Sequence, residues 1–358
     1  MVRPLLFIVY FMLFVLADIS AKAWTLPERS DRQGDTLNIP EPLERRARER
    51  LQKSRPKATE EAKERGLGAM RPETGKAIVA FLANDLLEGR EAGTRGGSLA
   101  AIYIASELLK LGVTSFPSEK SVSESFLHPF VAATRRGDSL SLQNVLGYIK
   151  GESNEWIVVG AHYDHLGVGG GEIFNGADDN ASGVSAVIQI ASAFAAAEIV
   201  PLRNILFAFW DGEEKGLLGS KHFTQTQMQT IEVKAYMNFD MIGRDSPGTP
   251  PGHVDYFYTA GHPLFASWQK EHIEKYRLGL SPEYRAWDQP TSGSDNASFA
   301  AKGIPILWYH TNSHPDYHKV TDHSEKINSN KMFHITKSAY LNVWRLANEA
   351  WDAETENE

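Results

Sequence analysis

The apolar residues of this chain follow two different spacings from about residue 73 onward. Several segments place apolar residues three and four positions apart, as amphipathic helices do, and two of these segments end at glycine. The helical segments are GKAIVAFLANDLLEG (75–89), GGSLAAIYIASELLKLG (96–112), DNASGVSAVIQIASAFAAA (179–197), GSKHFTQTQMQ (219–229), PLFASWQKEHIEKY (263–276) and NKMFHITKSAYLNVWRLANEAW (330–351).

Other segments are short and predict strands, several of them as almost continuous apolar runs. They are SLQNVLGYIKG (141–151), EWIVVGAHY (155–163), RNILFAFW (203–210), VKAYMNF (233–239), HVDYFYTA (253–260) and IPILWYH (304–310). Continuous apolar runs are typical of strands that are buried on both faces. Because these strands alternate with helices, the sequence predicts an α/β fold with a mostly parallel (mixed) central sheet and helices on both faces.

The N-terminal part has a different pattern and predicts two further segments. Residues 1–23 (MVRPLLFIVYFMLFVLADISAKA) combine one arginine, an apolar run and small residues at a cleavage site, as a signal peptide does. The run is shorter than the ~20 residues of a spanning helix, so an uncleaved anchor is only the alternative. Residues 24–72 are polar and rich in charge, which predicts a solvated extension. The catalytic domain would then occupy residues 73–358.

These segments predict the location of the protein. With a signal peptide, the chain is expected to be exported and to be periplasmic or secreted, without stable membrane insertion after cleavage. The 358 residues include no cysteine, which excludes disulfides and thiol chemistry. The formal net charge of −8 argues against nucleic acid as a partner.

Polar residues cluster where the predicted strands end. In open parallel sheets, ligands bind at the carboxyl ends of the strands. The residues that follow the strands, together with a glycine-rich turn before the third helical segment, are His162, Asp164, Asp211, Glu213, Glu214, Asp240, His314, Asp316, His318, Asp178 and Asp179. Imidazole and carboxylate donors without a thiolate indicate a metal site.

Each of these features alone has an ordinary structural explanation, but together they favour bound cations. An isolated pair such as Asp178 and Asp179 before a helix could simply cap it. So many carboxylates at one edge of a sheet are costly unless cations neutralise them. Since carboxylates outnumber imidazoles, more than one divalent ion is expected. The chain has no P-loop, no nucleophile elbow and no dinucleotide-binding turn.

Six short motifs in a fixed order resemble a known family. They are GAHYDHLG (160–167), NGADDNASG (175–183), FWDGEEKGLLGS (209–220), NFDMIG (238–243), SGSDNASF (292–299) and HPDYHKVTD (314–322). In this order they resemble the co-catalytic di-zinc aminopeptidases, a family that includes bacterial leucyl aminopeptidases and glutamate carboxypeptidase II. The resemblance extends from about residue 73 to residue 350.

The resemblance implies two Zn²⁺ ions, for which Co²⁺ or Mn²⁺ are possible substitutes. His162 and Asp240 would hold one ion, and Glu214 and His318 the other. Asp179 would bridge both, with Asp178 as the alternative if the register is shifted by one. The peptide bond after the bridging residue is expected to be cis.

The resemblance also implies roles for three neighbouring residues. Asp164 would orient the imidazole of His162. Glu213 would act as general base on the attacking water, and the tight turn at Gly212 would let its carboxylate diverge from that of Glu214. The expected function is that of an exported zinc-dependent aminopeptidase, a metallo-exopeptidase that hydrolyses the N-terminal residue of peptides.

One position departs from the family pattern. Thr291 stands where several bacterial members have a tyrosine that donates to the oxyanion. Tyr284, Trp287 or Tyr317 could take its place, or a zinc ion could suffice. Four further histidines near the motifs are expected to be structural, namely His165, His310, His314 and His323.

Three alternatives stay open at this point. A carboxypeptidase or dipeptidase on the same fold would need a basic subsite, for which motif-adjacent loops offer Arg90, Arg95, Arg244 and Lys319. A glutaminyl cyclase would use one zinc and the same glutamate as a proton shuttle. A non-catalytic binding module would have lost its metals, which the intact ligand set disfavours.

Overall fold

A computed structural model describes residues 56–117, 126–134 and 137–351 of the chain. The predicted signal peptide and residues 24–55 of the predicted extension lie outside the described residues. Within the described part, eight α-helices are α1 (Glu60–Ala69), α2 (Pro72–Leu82), α3 (Arg95–Lys110), α4 (Gly183–Ala197), α5 (Leu218–Gln225), α6 (Leu264–Tyr276), α7 (Asn296–Ala300) and α8 (Ser329–Asn348).

Eleven strands accompany these helices in the described ranges. They are β1 (Thr114–Ser115), β2 (Leu127–Ala133), β3 (Ser139–Ile149), β4 (Glu155–His162), β5 (Gly167–Gly169), β6 (Glu172–Phe174), β7 (Asn204–Trp210), β8 (Glu232–Phe239), β9 (His253–Thr259), β10 (Ser281–Trp287) and β11 (Ile306–His310). Short 3₁₀ segments cover Asp85–Arg90, Gln227–Thr230 and Ser324–Lys326.

Nine strands form one mixed sheet in the order β1-β3-β7-β4-β8-β11-β9-β10, with β2 paired to β3. The four central strands β7, β4, β8 and β11 are mutually parallel. Antiparallel pairs join β3 to β7 and β9 to β11 on either side. The predicted α/β class with a mixed central sheet and helices is confirmed, and the parallel centre gathers four strand ends at one edge.

The central strands are buried on both faces, as their continuous apolar runs predict. In β4, Ile157 and Val159 pack into a large core beneath α2, α4 and α8, whereas Val158 packs into a second core on the other face. That second core includes Phe223 of α5 and Phe299 of α7. Because side chains alternate across a strand, both faces of the sheet need apolar residues, and helices cover both.

The packed part of the chain begins upstream of residue 73. Helix α1 lies within the predicted extension, yet Ala62 and Leu67 belong to the large core. The side chain of Thr59 accepts a hydrogen bond from the amide of Ala62 and caps the helix. The helix is mostly polar and buries only a narrow stripe, so its sequence looks like that of a solvated segment.

Two edge strands do not follow from the hydrophobic pattern. Strand β10 carries Glu283 and Arg285 and begins beside Pro282, and β2 contains Pro129. Proline and charged residues are typical of edge strands, which need only one partner. The segment 281–287 therefore looks irregular in the sequence although it pairs with β9 over seven residues.

Candidate metal centre and active site

The parallel strands bring the predicted site residues to one edge of the sheet. His162 is the last residue of β4, and Asp240 directly follows β8. Glu213 and Glu214 lie on the turn after β7, and His318 lies in the loop after β11. Loops from separate parts of the sequence meet here because parallel strands end at the same edge.

A first group of donor atoms surrounds His162. Its Nε2 lies 3.5 Å from Oδ1 of Asp179 and 3.5 Å from Oδ1 of Asp240. Two donors bound tetrahedrally to one zinc at about 2.0–2.2 Å are separated by roughly 3.3–3.6 Å. The spacing of these three side chains therefore fits one zinc ion.

A second group lies on the other side of Asp179. Nε2 of His318 is 3.0 Å from Oδ2 of Asp179 and 3.5 Å from Oε2 of Glu214. His318 adopts a left-handed backbone conformation, with φ of 54°, and such uncommon conformations concentrate at functional sites. Asp179 thus offers one carboxylate oxygen to each group, which is the arrangement of a bridging ligand.

Asp178 points to different partners. Its Oδ1 accepts a hydrogen bond of 2.6 Å from the amide of Gly243, and its Oδ2 lies 3.2 Å from Nε2 of His314. The peptide bond from Asp179 to Asn180 is cis, as the family resemblance implies. The contacts of the two carboxylates favour Asp179 over Asp178 as the bridge.

Asp164 holds the turn that carries the two glutamates. Its carboxylate accepts hydrogen bonds from the amides of Glu213, at 3.0 Å, and Glu214, at 3.3 Å. The closest partner of His162 Nδ1 is the carbonyl oxygen of Asp164, at 3.2 Å, with the carboxylate at 3.7 Å. Asp164 therefore contacts His162 as predicted, but its carboxylate mainly orients the glutamate turn.

The turn itself depends on Gly212. Its φ of 75° lies in the left-handed region that favours glycine, and an added Cβ would come within 3.1 Å of the side chains of Leu142 and Leu218. The turn directs the carboxylate of Glu214 to His318, whereas the carboxylate of Glu213 belongs to neither donor group. This agrees with the predicted divergence of the two neighbouring carboxylates.

The carboxylate of Glu213 has no side-chain partner among the described residues. It lines a cavity of about 930 Å³, and no described residue donates a hydrogen bond to it or forms an ion pair with it. Burial raises the pKa of Glu213 well above its ordinary value; His162 opposes this shift, and Asp240 adds to it. A carboxylate with a raised pKa at a cavity wall is suited to accept a proton.

The site holds more negative charge than its histidines compensate. Burial lowers the pKa of His162, but the carboxylates of Glu213 and Asp240 raise it well above the usual value. Hydrogen bonds with Asp179 and Glu214 raise the pKa of His318 to about 10. Carboxylates that draw protons onto their neighbouring imidazoles in this way are suited to a cation.

A sequence profile decides the family. The profile of peptidase family M28 matches residues 144–342, which is more than half of the chain. The chain belongs to peptidase family M28. This confirms the resemblance seen in the motifs and supports the predicted metallo-exopeptidase class.

Among curated relatives, leupeptin-inactivating enzyme 1 of Streptomyces exfoliatus is 28% identical over 221 residues, which cover 61% of this chain and 44% of that protein. The chain spans less than half the length of the curated relatives it matches. The similarity therefore leaves the larger part of each of these relatives unmatched.

Solved structures share the fold. The LapA aminopeptidase of Legionella pneumophila superimposes with a TM-score of 0.64 at 23% identity, covering 82% of this chain and 77% of that one. A glutaminyl cyclase of Porphyromonas gingivalis gives a TM-score of 0.60 at 16% identity, covering 77% and 98%. These likenesses show the fold of this M28 chain and do not distinguish the two chemistries.

His165 is a residue of this site for which the sequence predicted only a structural role. Its Nδ1 lies 2.9 Å from Oε1 of Glu214 and 3.7 Å from Oδ2 of Asp179. His165 is fully buried, so Glu214 is held between its imidazole and that of His318. The expectation of a purely structural role is therefore too narrow, and the position three residues after His162 is the signal that could have found it.

Of the three aromatic residues considered as oxyanion donors, Tyr317 lies at the site. Its ring stacks on that of His318, with 3.9 Å between ring centroids, and it lines the same cavity as Glu213. Burial and the nearby carboxylate of Asp179 raise the pKa of Tyr317, so the phenol keeps its proton. Tyr284 and Trp287 lie on β10 and do not line this cavity.

The cations considered for a basic subsite are engaged elsewhere or lie away from the cavity. Arg90 is fully buried and donates only to main-chain carbonyls, among them those of Tyr163 and Gly176. Arg244 forms an ion pair with Asp316 at 2.7 Å, and the ammonium of Lys319 donates to the carbonyl of Pro315. Arg95 is exposed at the start of α3 and does not line the cavity.

Proposed function

We propose that this chain is a zinc-dependent aminopeptidase that hydrolyses the N-terminal residue of peptides. The observation that carries this proposal is the position of Asp179, which gives one oxygen to each of two donor groups beside the unengaged carboxylate of Glu213. His162 and Asp240 would hold one zinc, and His318 and Glu214 the other. Bound there, the ions would supply a water activated near neutral pH and a Lewis acid for the scissile carbonyl.

The chain's own residues then have separate tasks. Glu213 accepts a proton from the attacking water on its carboxylate and passes it to the nitrogen of the leaving amine. Asp164 keeps Glu213 in place through the amide hydrogen bond of 3.0 Å. His165 donates to Glu214 and so orients that carboxylate between the two imidazoles.

The acidic character of the site supports a substrate with a free amine. Beyond the proposed ligands, the carboxylate of Asp295 lies buried close by, and burial raises the pKa of Asp295 to about 7, opposed by His162. Glu213 and Asp295 are not proposed ligands, so their carboxylates would remain beside the bound ions as partners for an N-terminal ammonium. Export to the periplasm or the medium is part of the proposal and is supported by the sequence of residues 1–23.

We expect zinc-loaded protein to hydrolyse leucyl amide substrates only when the α-amine is free. The measurement compares kcat/KM for leucyl-p-nitroanilide with that for its N-acetyl derivative, before and after chelation. Activity should disappear with the chelator and return with Zn²⁺ or Co²⁺. Equal cleavage of the acetylated substrate would contradict an aminopeptidase, and activity indifferent to chelation would contradict a metal mechanism.

A glutaminyl cyclase is the second candidate, since the shared fold allows it. It would need only one of the two donor groups, and the complete second group of His318, Glu214 and Asp179 favours the peptidase. Incubating the protein with a peptide that begins with glutamine separates the two functions. Loss of ammonia without cleavage of any peptide bond would favour the cyclase.

Replacing Tyr317 by phenylalanine should lower kcat on the order of 10²-fold with little change in KM, because removal of an oxyanion donor acts mainly on the transition state. The matched control is Tyr284→Phe, which removes a hydroxyl from β10 outside the cavity and should not change kcat. A kcat within twofold of wild type for Tyr317→Phe would show that another group stabilises the oxyanion.

A further inference from the structure

The cavity beside Glu213 continues away from the metal ligands along two short helices. Its wall includes Lys221 of α5 and Lys302 on the turn after α7, in addition to Glu213 and His318. The two helices are fixed to each other by a buried hydrogen bond of 2.8 Å between the hydroxyls of Ser220 and Ser298. This hydrogen bond fixes the part of the cavity wall that carries the two lysines.

Neither ammonium group is neutralised by a carboxylate in the described part of the chain. The ammonium of Lys221 donates to the carbonyl of Gly216 at 2.8 Å, and Lys302 forms no ion pair with a described residue. By contrast, Lys215 on the same wall is paired with Glu91 at 2.6 Å. In a chain with net charge −8, two exposed lysines without acidic partners on one cavity wall are a local positive site.

We propose that Lys221 and Lys302 bind a carboxylate on the leaving part of the peptide substrate. This rests on the proposed function, in which the substrate's amine lies at the acidic end of the cavity. The scissile bond then lies beside Glu213, and the rest of the peptide can extend along α5 and α7 towards the lysines. The cavity is thus acidic where the N-terminal amine binds and basic where the leaving peptide binds.

A carboxylate at this position has two possible sources. It is either the free α-carboxylate of a dipeptide or the side chain of an Asp or Glu that follows the scissile bond. Both present the same anionic group to the lysines, at slightly different distances from the scissile bond. Two substrate pairs separate them, Leu-Gly against Leu-Gly-amide and Leu-Asp-amide against Leu-Asn-amide.

The experiment measures kcat/KM for these four substrates with the zinc-loaded full chain. We expect the acidic member of at least one pair to be preferred about fivefold, as for one partly exposed ion pair. Preference in the first pair identifies the terminal carboxylate, and preference in the second pair identifies the side chain. At about 1 M salt the preference should vanish, because the charges are then screened within about 3 Å.

In Lys221→Gln, Lys302→Gln and the double variant, the preference should fall towards unity. The preference is the ratio of the two kcat/KM values of a substrate pair measured on the same variant, so a change in overall activity cancels. Lys110→Gln is the matched control, since Lys110 lies at the end of α3 and pairs with Glu107. The substrate preference of this variant should equal that of wild type.

Hydrolysis of all four substrates without preference, or a preference that survives in the double variant, would overturn this subsite alone. Failure to hydrolyse any leucyl substrate would overturn the proposed function and the subsite with it.

Discussion

Replacing Glu213 by glutamine should lower kcat by about 10²- to 10⁴-fold while the zinc content stays at the wild-type value. The amide keeps the size of the side chain but cannot take the proton of the attacking water. The carboxylate of Glu213 forms no ion pair with a described residue and is not within either donor group, so its loss should not release a metal ion. Zinc content by atomic absorption and steady-state kinetics on leucyl-p-nitroanilide, measured on the same sample, check both parts.

The adjacent residue supplies a matched control for this substitution. Glu214→Gln makes the same chemical change on the same turn, but Glu214 lies 3.5 Å from Nε2 of His318 and 2.9 Å from Nδ1 of His165. We expect this variant to lose zinc as well as activity. If Glu213→Gln keeps substantial activity at full zinc occupancy, then Glu213 is not the base. If both variants lose zinc equally, the two glutamates do not have separate roles.

The sequence predicts the central part of this fold because burial on both faces leaves a strong pattern. Strands such as β7 are buried at every position and apolar from Ile205 to Trp210, and the residue that follows each strand end is then fixed at one edge of the sheet. This is why residues as distant in sequence as His162 and His318 could be assigned to one site. The convergence of His162, Glu214, Asp240 and His318 follows from the parallel order of β7, β4, β8 and β11, and Asp179 joins them from the turn before α4.

Features that depend on single contacts could not be predicted in this way. A histidine three residues after a ligand is common in any chain, and only the distance of 2.9 Å to Glu214 places His165 at the site. The cavity wall that carries Lys221 and Lys302 could not be predicted for a similar reason, because exposed lysines on helices and turns are usually solvated. Likewise, α1 buries too few apolar residues for its packing to be visible in its composition.

The positions of the charges also explain why the cations named for the carboxypeptidase or dipeptidase alternative do not form a subsite in the cavity. Motif-adjacent cations such as Arg90 and Arg244 looked available in the sequence, but here they hold loops of the site together. Arg90 donates four hydrogen bonds to main-chain carbonyls, and these join the residue after β4, the last residue of α2 and the loop before Asp178. Pattern alone cannot separate a cation that binds substrate from one that binds the backbone.

Replacing Asp179 by asparagine should have the second large effect and tests the bridge itself. Asp179 contributes an oxygen at 3.5 Å from Nε2 of His162 and another at 3.0 Å from Nε2 of His318, so both donor groups lose an anionic ligand at once. We expect zinc to fall from two ions to one or fewer per chain, and kcat to fall on the order of 10³-fold, since water activation requires the bound ions. Zinc content and activity are measured on the same preparation.

Asp178→Asn is the control that shows which of the two adjacent aspartates bridges the donor groups. Its carboxylate accepts from the amide of Gly243 and lies next to His314, so we expect Asp178→Asn to bind zinc as wild type does, with a lower melting temperature from the weakened buried contacts. If Asp178→Asn loses its zinc and Asp179→Asn retains it, the bridge is Asp178 and the donor groups must be redrawn around it. If neither variant loses zinc, the two groups do not share a ligand, and a single-ion chemistry such as that of a cyclase becomes the better description of this cavity.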